Sequence, residues 1–191
     1  MSTVEAMPLF AALLRGIAPS GMNMTNDKLR GVFEGLGLEA VASVLSSGNI
    51  VFRSSRADAP VLEQRIEDAL ALELGISSRT LLRSYSDLRA LVDSDPFPGV
   101  RHHSRTYLTA TFIKDPSAPE HVVAGRLDPG TTVVRYDPVS RAIVAITDNS
   151  QPDRARGLMR WLEESYGEGI TTRSWLTVER IVKKLETVDL P

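Results

Sequence analysis

The chain of 191 residues contains no cysteine, which excludes disulfides, thiol nucleophiles and cysteine-ligated zinc or iron–sulfur clusters. It also lacks a large excess of charge of one sign, because 22 lysines and arginines stand against 24 aspartates and glutamates. The net charge of −2 argues against general binding of polyanions, although a local group of arginines is compatible with it. These totals leave the activity open.

Long hydrophobic runs are missing as well. The apolar run that starts at Leu9 ends at Arg15, well short of the roughly 20 residues that cross a bilayer. No basic segment precedes this run, and no small-residue cleavage site follows it. We therefore expect a cytoplasmic protein without a membrane partner. Met7 directly precedes Pro8 and the first apolar run, so we expect the residues before it to be a dispensable extension or to reflect an upstream start.

The motifs HExxH, GxSxG, Walker A and GxGxxG are also absent from the sequence. His102 and His103 are adjacent, so an extended chain points them to opposite sides and makes them a poor metal pair. His121 stands alone. Glu63 and Glu67 are four residues apart and indicate a solvated helix face. We expect no metal and no cofactor.

The composition and patterning that are present indicate a folded α+β protein. Hydrophobic residues make up 42% of the chain and charged residues 24%, as in globular proteins. Residues 8–15 predict a strand with two apolar faces, which belongs in the middle of a sheet covered on both sides. The other elements predicted for the first half are a helix from Thr25 to Gly37, strands 41–45 and 49–53, a helix from Asp58 to Gly75 and a strand 79–83.

This order is the split βαβ or ferredoxin-like arrangement, and it recurs after a short helix at 86–92. The second series comprises strand 105–113, helix 119–127, strands 131–136 and 142–147, helix 152–166, strand 169–173 and a final helix from Ser174. We therefore predict a tandem pair of ferredoxin-like halves packed together, with an extra C-terminal helix. The halves are residues 7–96 and 105–191, joined by a linker at 97–104.

A ferredoxin-like sheet has the strand order 4-1-3-2, so the end of strand 1 lies beside the starts of strands 3 and 4. Polar residues of the first half gather at these positions, namely Arg15, Asn23, Ser47, Gly48, Asn49 and Arg79. Guanidiniums, amides and a hydroxyl suit a carboxylate or a phosphate. Three nearby glycines would let such a ligand approach the backbone: Gly16, Gly21 and Gly48.

A purely structural interpretation of the same residues stays open. Ser47 to Asn49 also suits an ordinary hairpin turn, and Arg15 suits an ion pair that closes a strand. Arg53 and Arg83, further along strands 3 and 4, indicate a solvated sheet edge.

The start of the last helix likewise has two interpretations. Residues 171–174 suit an anion site at the helix N-terminus, or a simple Ser174 cap with Arg173 exposed. Trp161 and Trp175 recur with aliphatic residues at helical spacing, which predicts packing in the core or between the halves.

Three blocks of sequence resemble the DUF1697 family, bacterial proteins that share a domain of unknown function. Residues 12–17 match a strand that ends in Ala-Leu-Leu-Arg-Gly-Ile, and residues 20–23 partly match the Gly-Gly-Lys-Asn loop that follows it. Residues 46–52 are similar to Gln-Ser-Gly-Asn-Val-Val-Phe, and residues 171–178 to Thr-x-Arg-Asn-Trp-x-Thr-Val. The resemblance extends over the chain from Met7 onward.

The resemblance implies two ferredoxin-like α+β halves and brings no established activity. It adds Arg173 and Thr177 of the second half as contributors to the polar site. The sequence departs from the family at Met22, where lysine is usual, at Ser174, where asparagine is usual, and at the apolar Leu176. If the family binds an anion through that lysine, this chain has lost one charge.

Three functions are compatible with these residues. The first is binding of a small anionic metabolite or nucleotide at the polar site and in the cleft between the halves. The second is a hydrolase or transferase with Ser47 or Thr177 as nucleophile, for which the sequence offers no evident general base. The third is RNA binding, which needs aromatic residues on an open sheet face that strand 1 does not offer. We rank ligand binding first and nucleic acid last.

Overall fold

The structure, a computed structural model, describes residues 7–18, 20–56, 58–115, 125–128, 130–150 and 154–188. It divides into two compact units. Among the described residues, the first unit holds 7–86 and 180–188, and the second holds 87–179. This division differs from the predicted halves, because residues 87–96 are grouped with the second unit and residues 180–188 with the first. The linker at 97–104 stays a prediction.

The first unit contains a four-stranded antiparallel sheet and two helices that pack on it. In chain order its elements are β1 (Leu9–Leu14), α1 (Asn26–Gly35), β2 (Glu39–Ser43), β3 (Asn49–Arg53), α2 (Ala59–Leu74) and β4 (Thr80–Ser84). The strands lie in the order β2-β3-β1-β4. The neighbours predicted for strand 1, which are strands 3 and 4, are therefore confirmed.

Both helices of the first unit begin and end where their capping residues predict. The Thr25 hydroxyl accepts the amide of Lys28 at the start of α1. The Asp58 carboxylate accepts the amide of Val61 at the start of α2, which ends at Gly75 in the left-handed conformation. These caps satisfy backbone groups that a helix leaves open at its ends.

Strand β1 is buried on both faces, as predicted. Phe10, Ala12 and Leu14 belong to the core beneath α1 and α2. Ala11 and Leu13 point to the opposite face, and both are fully buried.

The outer edge of β4 is bound by two carboxylates of α2. Glu63 accepts the amide of Leu82 at 2.7 Å, and Glu67 accepts the amide of Thr80 at 2.8 Å. The prediction that these glutamates are solvated is wrong, since both are buried. Glu63 and Glu67 are four residues apart, which is a rise of about 6 Å along a helix. Thr80 and Leu82 are two residues apart, which is about 6.6 Å along a strand, so the two spacings match.

Arg83 on β4 corrects a second prediction. It lies opposite Ala11 in the register, and only 2% of it is exposed, so it does not form a solvated edge. Its Nη1 donates to the carbonyl of Leu82 at 2.6 Å. Arg53 is partly buried rather than solvated. Both arginines lie on the sheet face that carries Ala11. The alternation of residues along a strand shows which residues share a face, but it does not show that the face is covered.

The second unit contains a five-stranded antiparallel sheet in the order β6-β7-β8-β5-β9. The remaining elements of the chain are α3 (Tyr85–Asp93), β5 (Thr106–Ile113), β6 (Gly125–Asp128), β7 (Thr131–Asp137), β8 (Ala142–Asp148), α4 (Arg154–Tyr166), β9 (Ile170–Ser174) and α5 (Trp175–Val188). The helix predicted at 119–127 is wrong over 125–127, which lie in β6, while 119–124 lie outside the described residues. Pairing of Gly125 with Val133 of β7 adds an edge strand and overrides the local helical preference.

The helices of the second series bury the residues that their periodicity indicates. Leu158 and Leu162 of α4 lie in a core with Ile113 and Ile170. Trp175 is buried and contacts Phe97 edge to face, with ring centres 5.1 Å apart. Trp161 is partly buried and packs beside Tyr166. In α5, the predicted apolar stripe is buried at Val178, Ile181, Val182 and Leu185.

Candidate functional site

Three predicted site residues meet through their backbones at one end of the first sheet. The amide of Leu14 donates to the carbonyl of Gly48, and the amide of Arg15 donates to the carbonyl of Arg79, each at 2.8 Å. The Ser78 hydroxyl donates to the carbonyl of Arg15 at 2.7 Å. We call residues 15, 47–49 and 79 the strand-end corner.

Arg15 and Arg79 stand opposite each other at the strand-end corner. The register pairs Leu14 with Thr80, and the next pair outward is Arg15 with Arg79. Directly opposed residues send their side chains to the same face, where two like charges repel. The Arg79 side chain is 55% exposed, and its Nη1 lies 3.5 Å from Oε2 of Glu67. An anion placed between the two guanidiniums would relieve the repulsion.

The amide side chain of Asn49 serves the hairpin itself. Asn49 is 1% exposed, and its Nδ2 donates to the carbonyl of Val44 at 3.1 Å and to Oγ of Ser47 at 3.0 Å. These bonds hold the turn between β2 and β3 in shape. Asn49 and Ser47 therefore position the strand-end corner, in line with the structural interpretation of this loop.

Gly48 and Gly16 have different roles at the strand-end corner. Gly48 has φ +72°, and a Cβ added there would lie 2.6 Å from Cγ1 of Ile17 and 3.0 Å from Cβ of Leu14. The packing of the chain itself therefore requires glycine at this position. Gly16 has φ +76°, and a Cβ there would meet no heavy atom within 4 Å. The open approach to the backbone is at Gly16. At Gly21 a Cβ would lie 2.9 Å from Sδ of Met24.

Asn23 fastens the loop after β1 to the end of α2. Its Nδ2 donates to the carbonyl of Leu74 at 3.0 Å, and its Oδ1 accepts from Nζ of Lys28 at 2.9 Å. Lys28 also donates to the carbonyl of Met22 at 3.1 Å. An ammonium group thus lies at this loop although residue 22 is not lysine. Sequence reasoning missed Lys28, whose only signal was its place in the first turn of α1.

Arg173 and Thr177, which the resemblance added, lie in the second unit at the junction of β9 and α5. Nη1 of Arg173 donates to Oγ1 of Thr171 at 2.7 Å and to the carbonyl of Thr172 at 3.0 Å. Burial lowers the pKa of Arg173 to about 10, so the group is still charged at neutral pH. The prediction of an exposed Arg173 is therefore wrong.

Ser174 caps α5, as one of the two interpretations predicts. Its Oγ accepts the amide of Thr177 at 3.3 Å and lies 2.8 Å from Oγ1 of Thr177. The hydroxyl of Thr177 is therefore engaged with the cap.

A short repeat marks both places where an outer strand runs directly into a helix. Arg83, Ser84 and Tyr85 stand at the end of β4, and residues 173–175, Arg-Ser-Trp, stand at the end of β9. In the first copy, Oγ of Ser84 lies 2.8 Å from Oγ of Ser86. The repeated Arg-Ser-aromatic triplet was visible in the sequence, but it is too short to stand out without the aligned strands.

The histidines near β5 bond to the backbone. Nδ1 of His102 accepts the amide of Leu108, and Nδ1 of His103 accepts the amide of Arg105, each at 3.2 Å. His121 lies outside the described residues. Within the described ranges, no group of three His, Asp or Glu side chains could hold a metal ion. In the same ranges, no helix is both long and apolar enough to cross a membrane.

Comparison with known proteins matches residues 7–135 to the model of the family described as "Protein of unknown function (DUF1697)". No curated protein matches the chain. Among solved structures, the chain is similar to conserved bacterial protein SP0830 from Streptococcus pneumoniae, with 22% identity and a TM-score of 0.69. That match covers 94% of this chain and 99% of the other, and it supports the mixed α+β fold. Because the family match covers more than half of its length, the chain belongs to the DUF1697 family.

Proposed function

We propose that the protein binds a small anionic metabolite or nucleotide through a carboxylate or phosphate held at the strand-end corner. The observation that carries this proposal is the direct opposition of Arg15 and Arg79 at the end of β1 and β4. Two opposed arginines at one strand end offer forked donors to an oxyanion, and the ligand offsets their mutual repulsion.

Each residue of the strand-end corner has a distinct part in this proposal. Arg15 and Arg79 contact the anion, and the open backbone at Gly16 lets it approach. Asn49 and Ser47 shape the turn beside it. The contribution of Arg173 and Thr177 stays a prediction from the family resemblance.

Binding is a better proposal than turnover for this chain. The two hydroxyls considered as nucleophiles, those of Ser47 and Thr177, accept or exchange hydrogen bonds with Asn49 and Ser174. These contacts serve a turn and a helix cap.

We also propose that each unit is built around a ferredoxin-like βαββαβ arrangement. The supporting observation is that four strands follow the same order in both sheets, since β7-β8-β5-β9 corresponds to β2-β3-β1-β4. In this proposal β6 is an addition to the edge of the second sheet.

Thermal unfolding of the full chain with a panel of carboxylates, nucleotides and inorganic phosphate tests the proposed binding. We expect at least one anion to raise the Tm in a concentration-dependent way, because a ligand that binds only the folded state stabilises it. Arg15→Gln and Arg79→Gln should each reduce that shift. Arg101→Gln is the matched control, because Arg101 is an exposed arginine of the second unit.

A panel in which no anion raises the Tm would refute the proposal. A shift that is the same in Arg15→Gln as in Arg101→Gln would also refute it, because the anion would then bind elsewhere.

A further inference from the structure

A polar pocket lies at the opposite end of the first sheet from the strand-end corner. It is formed where β3 ends and α2 begins, beside the turn between α1 and β2. It has a volume of about 60 Å³ and opens to solvent. Six polar side chains are among its lining residues: Glu39, Arg53, Ser54, Ser55, Arg56 and Arg65. We call this the arginine pocket.

The charge of the arginine pocket is strongly one-sided, in contrast to the balanced chain. Three guanidiniums and one carboxylate, that of Glu39, are among its lining groups. Within the described part of the chain, neither Arg56 nor Arg65 has an ion-pair or hydrogen-bond partner for its guanidinium. Positive charges therefore converge on a pocket whose lining includes one carboxylate, that of Glu39, which cannot offset all of them.

The local backbone holds this arrangement in place. The amide of Ser54 donates to the carbonyl of Pro8 at 3.1 Å, and the amide of Arg56 donates to Oγ of Ser54 at 3.1 Å. The start of α2 is already capped by the Asp58 carboxylate, so the helix terminus is not the source of the attraction for an anion. The guanidiniums and serine hydroxyls of the pocket are the available donors.

We propose that the arginine pocket binds a phosphate dianion, as inorganic phosphate or as the phosphate of a small monoester. A phosphate group carries close to two negative charges at neutral pH, which matches Arg56 and Arg65, whereas a carboxylate carries one. The planar guanidinium also donates two parallel hydrogen bonds to adjacent phosphate oxygens. This site is separate from the strand-end corner and does not depend on the function proposed for it.

Calorimetric titration of the full chain at neutral pH with inorganic phosphate, glycerol phosphate and acetate tests this assignment. We expect saturable binding of the two phosphates and none of acetate. Arg56→Gln and Arg65→Gln should each weaken phosphate binding about tenfold, the size expected for a lost hydrogen bond to a charged group. Arg101→Gln should leave it unchanged, and Glu39→Gln should tighten it.

The three ligands and the corner variant also separate the alternatives. Tighter binding of glycerol phosphate assigns the pocket to a monoester, and tighter binding of inorganic phosphate assigns it to the free ion. Loss of phosphate binding in Arg15→Gln, with Arg56→Gln and Arg65→Gln unaffected, would place the anion at the strand-end corner and overturn this inference. Absence of saturable phosphate binding, or equal binding of acetate, would overturn it as well.

Because Arg56 and Arg65 make no internal contact through their guanidiniums in the described structure, their variants should fold normally. Unchanged circular dichroism spectra and melting temperatures without ligand verify this for each variant. A loss of phosphate affinity with an unchanged melting temperature separates binding from structure.

Discussion

The outer strands β4 and β9 occupy the same place in their sheets, each beside the first strand of its series. In β4 the central residues are leucines, and the backbone amides of Thr80 and Leu82 at the outer edge donate to carboxylates of α2. In β9 the central residues are threonines, and the hydroxyl of Thr172 lies 2.8 Å from that of Thr111 on the neighbouring strand β5. The same sheet order therefore carries carboxylates bound to backbone amides on one outer strand and a contact between side-chain hydroxyls on the other.

The comparison shows which part of the two strands is shared. Both strands end in Arg-Ser followed by an aromatic residue that starts a helix. Arg83 is almost completely buried, and burial lowers the pKa of Arg173. The junction is common to both, whereas the strand interiors differ in polarity. The variants described next test how far this difference extends into stability.

The largest expected effect is at the edge of β4. Glu63→Ala combined with Glu67→Ala should lower the free energy of unfolding by roughly 2–6 kcal/mol, because each leaves a buried amide without an acceptor. In the second unit, Thr172→Val removes only one hydroxyl contact and should cost about 1 kcal/mol. Urea denaturation of both variants measures the contrast.

Glu73→Ala is the matched control for α2, because Glu73 is exposed on the same helix. It should change the free energy of unfolding by less than about 0.5 kcal/mol. If Glu73→Ala and the double variant lower the free energy of unfolding equally, the carboxylates of Glu63 and Glu67 do not stabilise the edge of β4.

The hairpin between β2 and β3 in the first unit and the hairpin between β7 and β8 in the second provide the next contrast. Gly48→Ala should cost about 3 kcal/mol, because the added Cβ clashes with Ile17 and Leu14 and the backbone conformation is left-handed. Gly16→Ala has the same backbone strain without the clash and should cost about 1 kcal/mol. The hairpin of the second unit already carries a side chain at φ +50°, at Arg141.

Chemical denaturation of the two glycine variants separates the clash from the strain. The difference between them, about 2 kcal/mol, is the part that packing contributes. If both variants lose the same amount, the space around Gly48 is more adaptable than its contacts indicate.

A smaller effect is expected at the junction of β9 and α5. Ser174→Ala should cost about 1 kcal/mol through loss of the N-cap, and Ser174→Gly should recover all but a few tenths of this. Ser86→Ala, at the junction of β4 and α3, removes an exposed hydroxyl and should stay within about 0.5 kcal/mol. A loss at Ser174 no larger than that at Ser86 would contradict the assignment of Ser174 as the N-cap of α5. Thermal unfolding of the three variants measures these differences.

The smallest effect is expected on the surface of α3. Arg89 donates to the carboxylate of Asp93 at 2.9 Å, and this hydrogen bond holds the pKa of Asp93 below its usual value of 3.8. A carboxylate whose pKa is lowered by folding stabilises the folded state above its ordinary pKa, and this stabilisation disappears as the pH falls through the lowered value. Since Asp93 is exposed, the contribution is small.

Comparison of Asp93→Asn with the parent chain across acidic pH checks the sign of this effect. The parent should be slightly more stable at neutral pH, and the two should converge as Asp93 becomes protonated. A stability difference that grows toward acid would contradict it.

Elements whose signals are local could be predicted from the sequence. Strand β3 has the predicted bounds, Asn49–Arg53, because turn residues precede it and apolar residues fill it. The caps at Thr25 and Asp58 and the stop at Gly75 are equally local. Burial of β1 on both faces followed from its two apolar faces.

What the sequence could not supply depends on contacts between distant segments. The periodicity of α2 places Glu63 and Glu67 on one face but does not show that a strand edge lies against that face. At the strand-end corner, the topology brought Arg15 and Arg79 together, yet the inward direction of the Asn49 amide depends on the turn geometry. The arginine pocket joins residues from separate segments of the first series, between Met7 and Arg65, and has no local signature.

The two edges of the first sheet have a consequence for self-association. On one side, α2 carboxylates occupy the amides of β4 that an added strand would need. On the other side, β2 carries an irregularity between Glu39 and Ala42, with Ala40 at φ +51°, which bends this edge away from regular pairing. A sheet blocked in both directions resists strand-by-strand addition of further copies, so fibril growth from the native state is disfavoured at this sheet.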